Sequence, residues 1–147
     1  MNKYNSEGYH DPTAYAAFRA IEREEKAKAK QYHPIVYIAS PFAGDTKRNI
    51  EQARKYCRFA VRQQCIPLAP HLLFPQFMND RNPAERELAL RFALILLGKC
   101  SELWVFGESI SQGMAAEIKK ARWRNMPIKY YSEKCEVKQL GTQNLIR

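Results

Sequence analysis

The chain has 147 residues, of which 46% are hydrophobic and 27% charged, and this size and composition predict one globular domain with its own core. No apolar run is long enough to span a bilayer, which excludes a membrane-spanning helix from the predicted elements. The N-terminal stretch is polar and lacks an apolar signal core, so we expect a cytoplasmic protein. The four cysteines form no Cys-x-x-Cys pair, and we expect reduced thiols without disulfide, metal or cofactor.

The net charge of +9 is concentrated in the middle of the chain. Residues 34–131 carry fifteen basic and eight acidic side chains, a balance of +7, whereas each flanking segment carries +1. A basic domain favours anionic partners such as nucleotides, phosphorylated metabolites or nucleic acid. A surface that is basic only for solubility explains the charge equally well.

Apolar periodicity and turn residues predict an N-terminal helix followed by four strands that alternate with helices. The helices are predicted over residues 12–31, with Asp11 as cap, then from Thr46 to Arg62, from Pro83 to Gly98, and from Gln112 to Asn125. The strands are predicted over residues 34–40, 65–70, 101–107 and 126–131, and residues 70–83 contain a long loop. The second half of the helix that begins at Pro83 is apolar nearly all round, which predicts burial.

Alternation of strands and helices predicts an α/β fold, with a parallel sheet and helices on both faces. Open sheets of this kind bind ligands beyond the carboxyl ends of their strands. Two loops with polar and glycine residues leave such ends, "SPFAGD" after the first strand and "GESISQGM" after the third. We therefore expect a binding site where these two loops meet.

The second of these loops leads into a helix whose start suits an anion. Ser111 or Gln112 is expected at the N-cap, and Gly113 allows a ligand to approach the backbone closely. Free amides and the helix dipole favour a phosphate or carboxylate there. Glu117 is expected in the first turn or just beyond it, ionised, either as an ordinary helix-start acid or as a reactive carboxylate.

The first loop offers the Ser40 hydroxyl and the amides of Ala43 and Gly44, and Arg48 or Lys47 could reach an anion from the next helix. A plain turn with solvated bases is the alternative. Three further side chains lie near predicted strand ends, namely Tyr37, Phe42 and His71. Aromatic residues at such positions are more often core, and a single histidine is weak evidence for a metal.

Four segments, "IVYIASPFAG", "PLAPH", "CSELWVFGESISQGMAAEI" and "MPIKYY", resemble in order and spacing the nucleoside 2-deoxyribosyltransferase superfamily. The similarity is greatest to a small bacterial and phage branch of unknown function, near the nucleoside 5′-monophosphate N-glycosidases. It covers residues 34–131, and it leaves residues 1–33 as a helical extension and residues 132–147 as a tail. It implies a flavodoxin-like or Rossmann-like parallel sheet of about four to five strands.

The resemblance also implies a chemistry. Glu117 matches the glutamate that attacks the anomeric carbon of the sugar, and Tyr37 matches the tyrosine that positions it. Ser111 stands where transferases of free nucleosides tend to have aspartate and where nucleotide hydrolases tend to have serine. The resemblance therefore favours a phosphorylated substrate, with Ser111, Gly113 and Met114 at the phosphate end.

Ser40, Phe42 and Gly44 are expected opposite that end, and His71 is expected beside them. The sequence departs from the superfamily at two places. The helix position that usually carries the acid for the departing base holds "RFA" at 91–93, which leaves Asp80 or Glu87 as substitutes. An arginine common in the first loop is replaced by Ala43, which leaves Arg48 or Lys47. Relatives complete their pockets with a neighbouring subunit, so we expect a homo-oligomer.

Three functions remain open from the sequence. The first is a nucleotide N-glycosidase or deoxyribosyltransferase that acts on (deoxy)nucleoside 5′-monophosphates. The second is a nucleotide sensor of the same fold without catalysis. The third is a basic nucleic-acid-binding module, which is disfavoured because aromatic residues do not interleave with bases as they do in an RNA-binding sheet.

Overall fold

The central element of the protein is a four-stranded parallel sheet with strand order β2-β1-β3-β4. The structure is a computed structural model, and it describes residues 12–139. The strands are β1 (Ile35–Ala39), β2 (Ile66–Leu68), β3 (Glu102–Phe106) and β4 (Ile128–Tyr131). The helices are α1 (Pro12–Lys30), α2 (Thr46–Arg62), α3 (Pro70–Leu73), α4 (Pro83–Leu97) and α5 (Gln112–Trp123). The α/β fold and the parallel sheet are therefore confirmed.

The described residues divide into two compact units, residues 12–32 and residues 33–139. In the first unit, α1 has no buried residue, and its exposed surface carries ion pairs between Arg19 and Glu22 (3.0 Å) and between Lys28 and Glu24 (3.3 Å). The predicted cap, Asp11, lies outside the described residues. The second unit contains the sheet and the remaining helices.

Helices cover both faces of the sheet because strand residues alternate between two apolar clusters. Tyr37, Ala39, Leu103 and Val105 pack against α4 and α5. Val36, Ile38, Trp104 and Phe106 pack on the other face against α2, which contributes Tyr56 and Ala60. Both central strands are fully buried apart from their first residues, as expected for a parallel sheet covered on two sides.

Two predicted features are wrong in detail. The predicted loop after β2 contains the short helix α3 and a 3-10 turn at Phe74–Gln76, elements too short to produce a helical pattern in the sequence. The second half of α4 is not buried all round, because only Ala93 and Leu97 are buried. Phe92 and Ile95 remain 41% and 53% exposed.

No helix of the described part of the chain is long and apolar enough to cross a membrane. After β4, Val137 forms an isolated antiparallel bridge with Tyr131, which folds residues 132–139 back onto the edge of the sheet.

Candidate active site

A cleft of about 750 Å³ opens at the carboxyl ends of β1 and β2, next to the start of α5. The register of the sheet pairs Tyr37 with Leu103 and Ala39 with Val105, so the loops after β1 and β3 leave the same edge. Most of the predicted site residues line the cleft, among them Tyr37, Ser40, Phe42, His71, Asp80, Ser111, Gly113, Met114 and Glu117.

Glu117 lies in the second turn of α5 and not in the first, because the helix begins at Gln112. It belongs to the buried side of the helix with Met114, Ile118 and Ala121, and only 9% of its surface is exposed. Burial raises the pKa of its carboxyl from 4.5 to about 7, whereas the hydrogen bond from Tyr37 acts to lower it. The expected stabilisation of the charged form by the helix dipole is therefore outweighed by desolvation.

Tyr37 approaches Glu117 from β1. Its phenol donates a hydrogen bond to the Glu117 carboxyl, and its pKa is raised well above the ordinary value by burial first and by the Glu117 charge second. The ring is 2% exposed and packed in the core between the sheet and α4 and α5. The phenol thus keeps its proton and remains a hydrogen-bond donor beside the Glu117 carboxyl.

The start of α5 is built as the sequence predicted. Ser111 is the N-cap, and its hydroxyl oxygen accepts a hydrogen bond from the amide of Met114 (3.2 Å). Its own O–H remains available to a ligand. A β-carbon at Gly113 would meet only the Ser111 oxygen, at 3.9 Å, so the protein interior does not require glycine here. The open side of Gly113 faces the cleft.

Ser40 and His71 form a polar pair at the carboxyl end of the sheet. The Ser40 hydroxyl and the His71 Nε2 are 2.8 Å apart, and Ser40 is 6% exposed. Burial lowers the pKa of His71 to about 4. The imidazole is therefore neutral near pH 7, and it can offer the cleft a hydrogen bond without a charge.

The loop after β1 places Phe42 and Ala43 against the cleft, but not Gly44, Lys47 or Arg48. Arg48 turns to the other face of the sheet, where it pairs with Glu133 at 3.2 Å. Asn49 was missed from the sequence, although its amide donates to the carbonyls of Phe42 (3.1 Å) and Ala43 (2.9 Å) and so fixes the loop. In the sequence, Asn49 is only a polar residue early in a helix, and this position gives no indication of its contacts with the loop.

Four further charged residues line the same cleft from the start of α4 and the loop before it: Asp80, Glu85, Arg86 and Glu87. Asn82 caps this helix by accepting from the amides of Ala84 (3.0 Å) and Glu85 (3.4 Å). Glu87 is partly engaged by Arg91 at 3.7 Å. The sequence suggested Asp80 and Glu87, whereas Glu85 and Arg86 were missed because an exposed helix start gives no sign of the cleft it borders.

The described residues bring no three histidine, cysteine or acidic side chains into a cluster that could hold a metal. All four cysteines are free thiols. The functional groups of the cleft are thus a buried carboxyl with a phenol, a neutral imidazole, a helix start, a group of carboxyls and the Arg86 guanidinium. Such a set can bind an organic anion and carry out nucleophilic and acid–base chemistry.

Comparison with known proteins gives a family and similar folds. The chain belongs to the family described as domain of unknown function DUF7768, whose pattern matches residues 34–131. No curated protein matches the sequence significantly.

Solved structures with a similar fold include a 2-deoxyribosyltransferase from the psychrotolerant bacterium Bacillus psychrosaccharolyticus. That protein is 14% identical, with a TM-score of 0.55 over 74% of this chain and 78% of that chain. A conserved protein from Enterococcus faecalis V583 is 18% identical, with a TM-score of 0.50 over 78% of this chain and 72% of that chain. At these identities the likeness establishes a common fold.

Proposed function

We propose that the protein cleaves or transfers at the N-glycosidic bond of (deoxy)nucleoside 5′-monophosphates, with Glu117 as nucleophile. The observation that carries the proposal is the buried Glu117 carboxyl, which accepts a hydrogen bond from Tyr37 and lines a cleft of about 750 Å³. A buried carboxyl lowers stability when it ionises, so its presence at the wall of a cleft favours a chemical role.

In the proposed reaction, a Glu117 oxygen attacks the anomeric carbon while the bond between that carbon and the base breaks. The electron pair of the broken bond leaves with the base, which takes a proton from a carboxylic acid across the cleft. Asp80 is our first candidate for this acid, with Glu85 and Glu87 as neighbours. Water or a second base then attacks the same carbon and gives its proton to the carboxylate that protonated the first base, and the Glu117 carboxylate is released.

The start of α5 supports a phosphorylated substrate. The Ser111 hydroxyl and the first amides of the helix can all donate to phosphate oxygens. Among the described residues that line the cleft, Arg86 is the one arginine or lysine. We therefore assign phosphate binding to Arg86 and not to Arg48. Ser40, Phe42 and His71 are assigned to the sugar and base.

The test incubates the protein with a panel of deoxynucleoside 5′-monophosphates and with the matching nucleosides. Chromatography measures the free base released from each. We expect release from the monophosphates, loss of release in Glu117→Gln, and normal release in Glu133→Gln, an exposed glutamate outside the cleft. Ser111→Asp keeps a good helix cap, and we expect it to shift the preference toward nucleosides. Nucleotide binding without any release would contradict the enzyme and favour a sensor.

We also propose that a second copy of the chain covers the exposed apolar side of α4. Leu88, Phe92 and Ile95 lie on one side of this helix and are 37%, 41% and 53% exposed. Leu90 and Ala93 of the same helix line the cleft, so a partner seated there would border the site. This proposal extends the homo-oligomer expected from the sequence.

A further inference from the structure

The strongest charge feature outside the cleft is the outer surface of α2. Residues 46–62 include six basic side chains and one acidic side chain, a balance of +5 within the chain's total of +9. Arg48 is paired with Glu133. The other five are all exposed, and none forms an ion pair within residues 12–139: Lys47, Arg54, Lys55, Arg58 and Arg62.

Most of these cations form one row, which we call the α2 basic row and define as Lys47, Arg54, Arg58 and Arg62, with Lys55 at its border. Arg54, Arg58 and Arg62 follow each other at four-residue steps, so they lie on one side of the helix, about 6 Å apart along its axis. Like charges at this spacing each destabilise an isolated helix by about 0.2–0.5 kcal/mol. The one acid of the helix, Glu51, lies on the same side between Lys47 and Arg54, but it forms no ion pair within residues 12–139. A row with a single acid among its cations is left mostly without counter-charge, and it is suited to an external anion.

We propose that the α2 basic row binds the phosphate backbone of a nucleic-acid duplex. The row extends over a helix about 25 Å long, which matches a linear array of negative charge better than a single small anion. Three of its members are arginines, whose planar guanidinium groups bind phosphate through two parallel hydrogen bonds.

Two observations select a duplex over other polyanions. The exposed residues of α2 include no aromatic side chain, so the row offers no surface on which unpaired bases could stack. The apolar side of α2 is occupied by packing of Tyr56 and Ala60 against the sheet, so the helix has no free apolar side to insert into a bilayer.

The row is also separate from the cleft. Helix α2 packs on the face of the sheet that contains Val36 and Trp104, whereas Glu117 lies on α5, on the opposite face. The cleft is lined by four carboxyls and one arginine, the reverse of the charge on α2. Backbone binding at α2 is therefore independent of the proposed reaction and leaves the cleft free.

The test is binding of the full chain to a fluorescent DNA duplex of mixed sequence, measured by anisotropy between 50 and 200 mM salt. We expect log K to fall with log salt with a slope of about −4, since each neutralised phosphate contributes about −0.9. The triple variant Arg54→Gln, Arg58→Gln, Arg62→Gln should reduce that slope by about 3 and weaken binding at least tenfold at about 100 mM salt. Glutamine preserves helix propensity, and circular dichroism checks the fold.

The matched control is Lys99→Gln, Lys119→Gln, Arg122→Gln, which removes the same charge from exposed positions outside α2. We expect this control to keep most of the slope. Equal losses in the two triple variants would overturn the assignment, as would absence of duplex binding by the wild type. Tighter binding to a single strand of equal length, or to vesicles rich in anionic lipid, would likewise overturn it.

Discussion

The phenol of Tyr37 on β1 donates a hydrogen bond to the carboxyl of Glu117 on α5, and both side chains are buried at the edge of one cleft. Burial and the hydrogen bond act on the Glu117 pKa in opposite directions, and burial prevails, which brings the pKa to about 7. The carboxyl is thus divided between its two protonation states near neutral pH. Its protonation state there depends on both the Tyr37 hydrogen bond and the apolar surroundings.

The pH dependence of base release follows from this pKa. A nucleophile must be ionised, so log kcat/KM should rise with pH up to about 7 and level off above it. Tyr37→Phe removes the hydrogen bond that lowers the pKa, and we expect the rise to move to higher pH, with activity at pH 7 reduced about tenfold. Tyr130→Phe, a partly buried tyrosine on β4, should leave the profile unchanged. Activity that declines through pH 7 would show the carboxyl acting as an acid.

The stability of the fold should also respond to Glu117. The folded pKa exceeds the ordinary value of 4.5, so the carboxyl's protonated form favours folding, and stability is lost as pH rises from about 4.5 to about 7. Glu117→Gln cannot ionise, so it should not show this loss. Between pH 4.5 and pH 8 its free energy of unfolding should rise, relative to that of wild type, by up to about 3 kcal/mol. Urea denaturation at both pH values measures this difference. Glu87→Gln, at an exposed site, is the control, and parallel pH dependences of Glu117→Gln and wild type would refute the prediction.

The residue that protonates the departing base can be identified with substrates whose base leaves without a proton. We expect Asp80→Asn to reduce base release from ordinary purine nucleotides by about 10²- to 10⁴-fold, the usual contribution of a general acid. Nucleotides of 7-methylated purines need no proton to leave, so the variant should cleave them nearly as well as wild type does. Glu85→Gln and Glu87→Gln are compared in the same assay. If one of these variants and not Asp80→Asn shows the rescue, the role belongs to that glutamate.

The exposed apolar side of α4 predicts association. Phe92→Asp places a charge at the centre of that surface and should convert the protein to monomers in sedimentation or light scattering. Trp123→Asp changes a side chain that is 78% exposed on α5, and it serves as the control. A wild-type chain that is monomeric at working concentration, or equal behaviour of both variants, would contradict the proposed interface.

The sequence predicted those features that local rules determine. The cap at Ser111 and the cleft-facing Gly113 follow from a small polar loop before a helix, and the parallel sheet follows from alternation. The spacing of Glu117 from the helix start does not indicate burial. Its burial follows from the apolar residues on the same side of α5, Met114, Ile118 and Ala121. The pairing of Arg48 with Glu133 depends on residues 85 positions apart, and local patterns carry no signal for such contacts.

The central claim is that Glu117 forms a covalent bond to the sugar, and trapping that intermediate tests it most directly. A 2-fluoro substituent withdraws electrons from the oxocarbenium-like transition state and slows hydrolysis of the intermediate, so a 2′-fluoro-arabinosyl nucleotide should accumulate it. After acid quench, proteolysis and mass spectrometry, we predict one sugar phosphate on the peptide that contains Glu117, and none in Glu117→Gln. Base release from the natural nucleotide with an adduct on another residue, or with no adduct from the fluorinated one, would contradict the account.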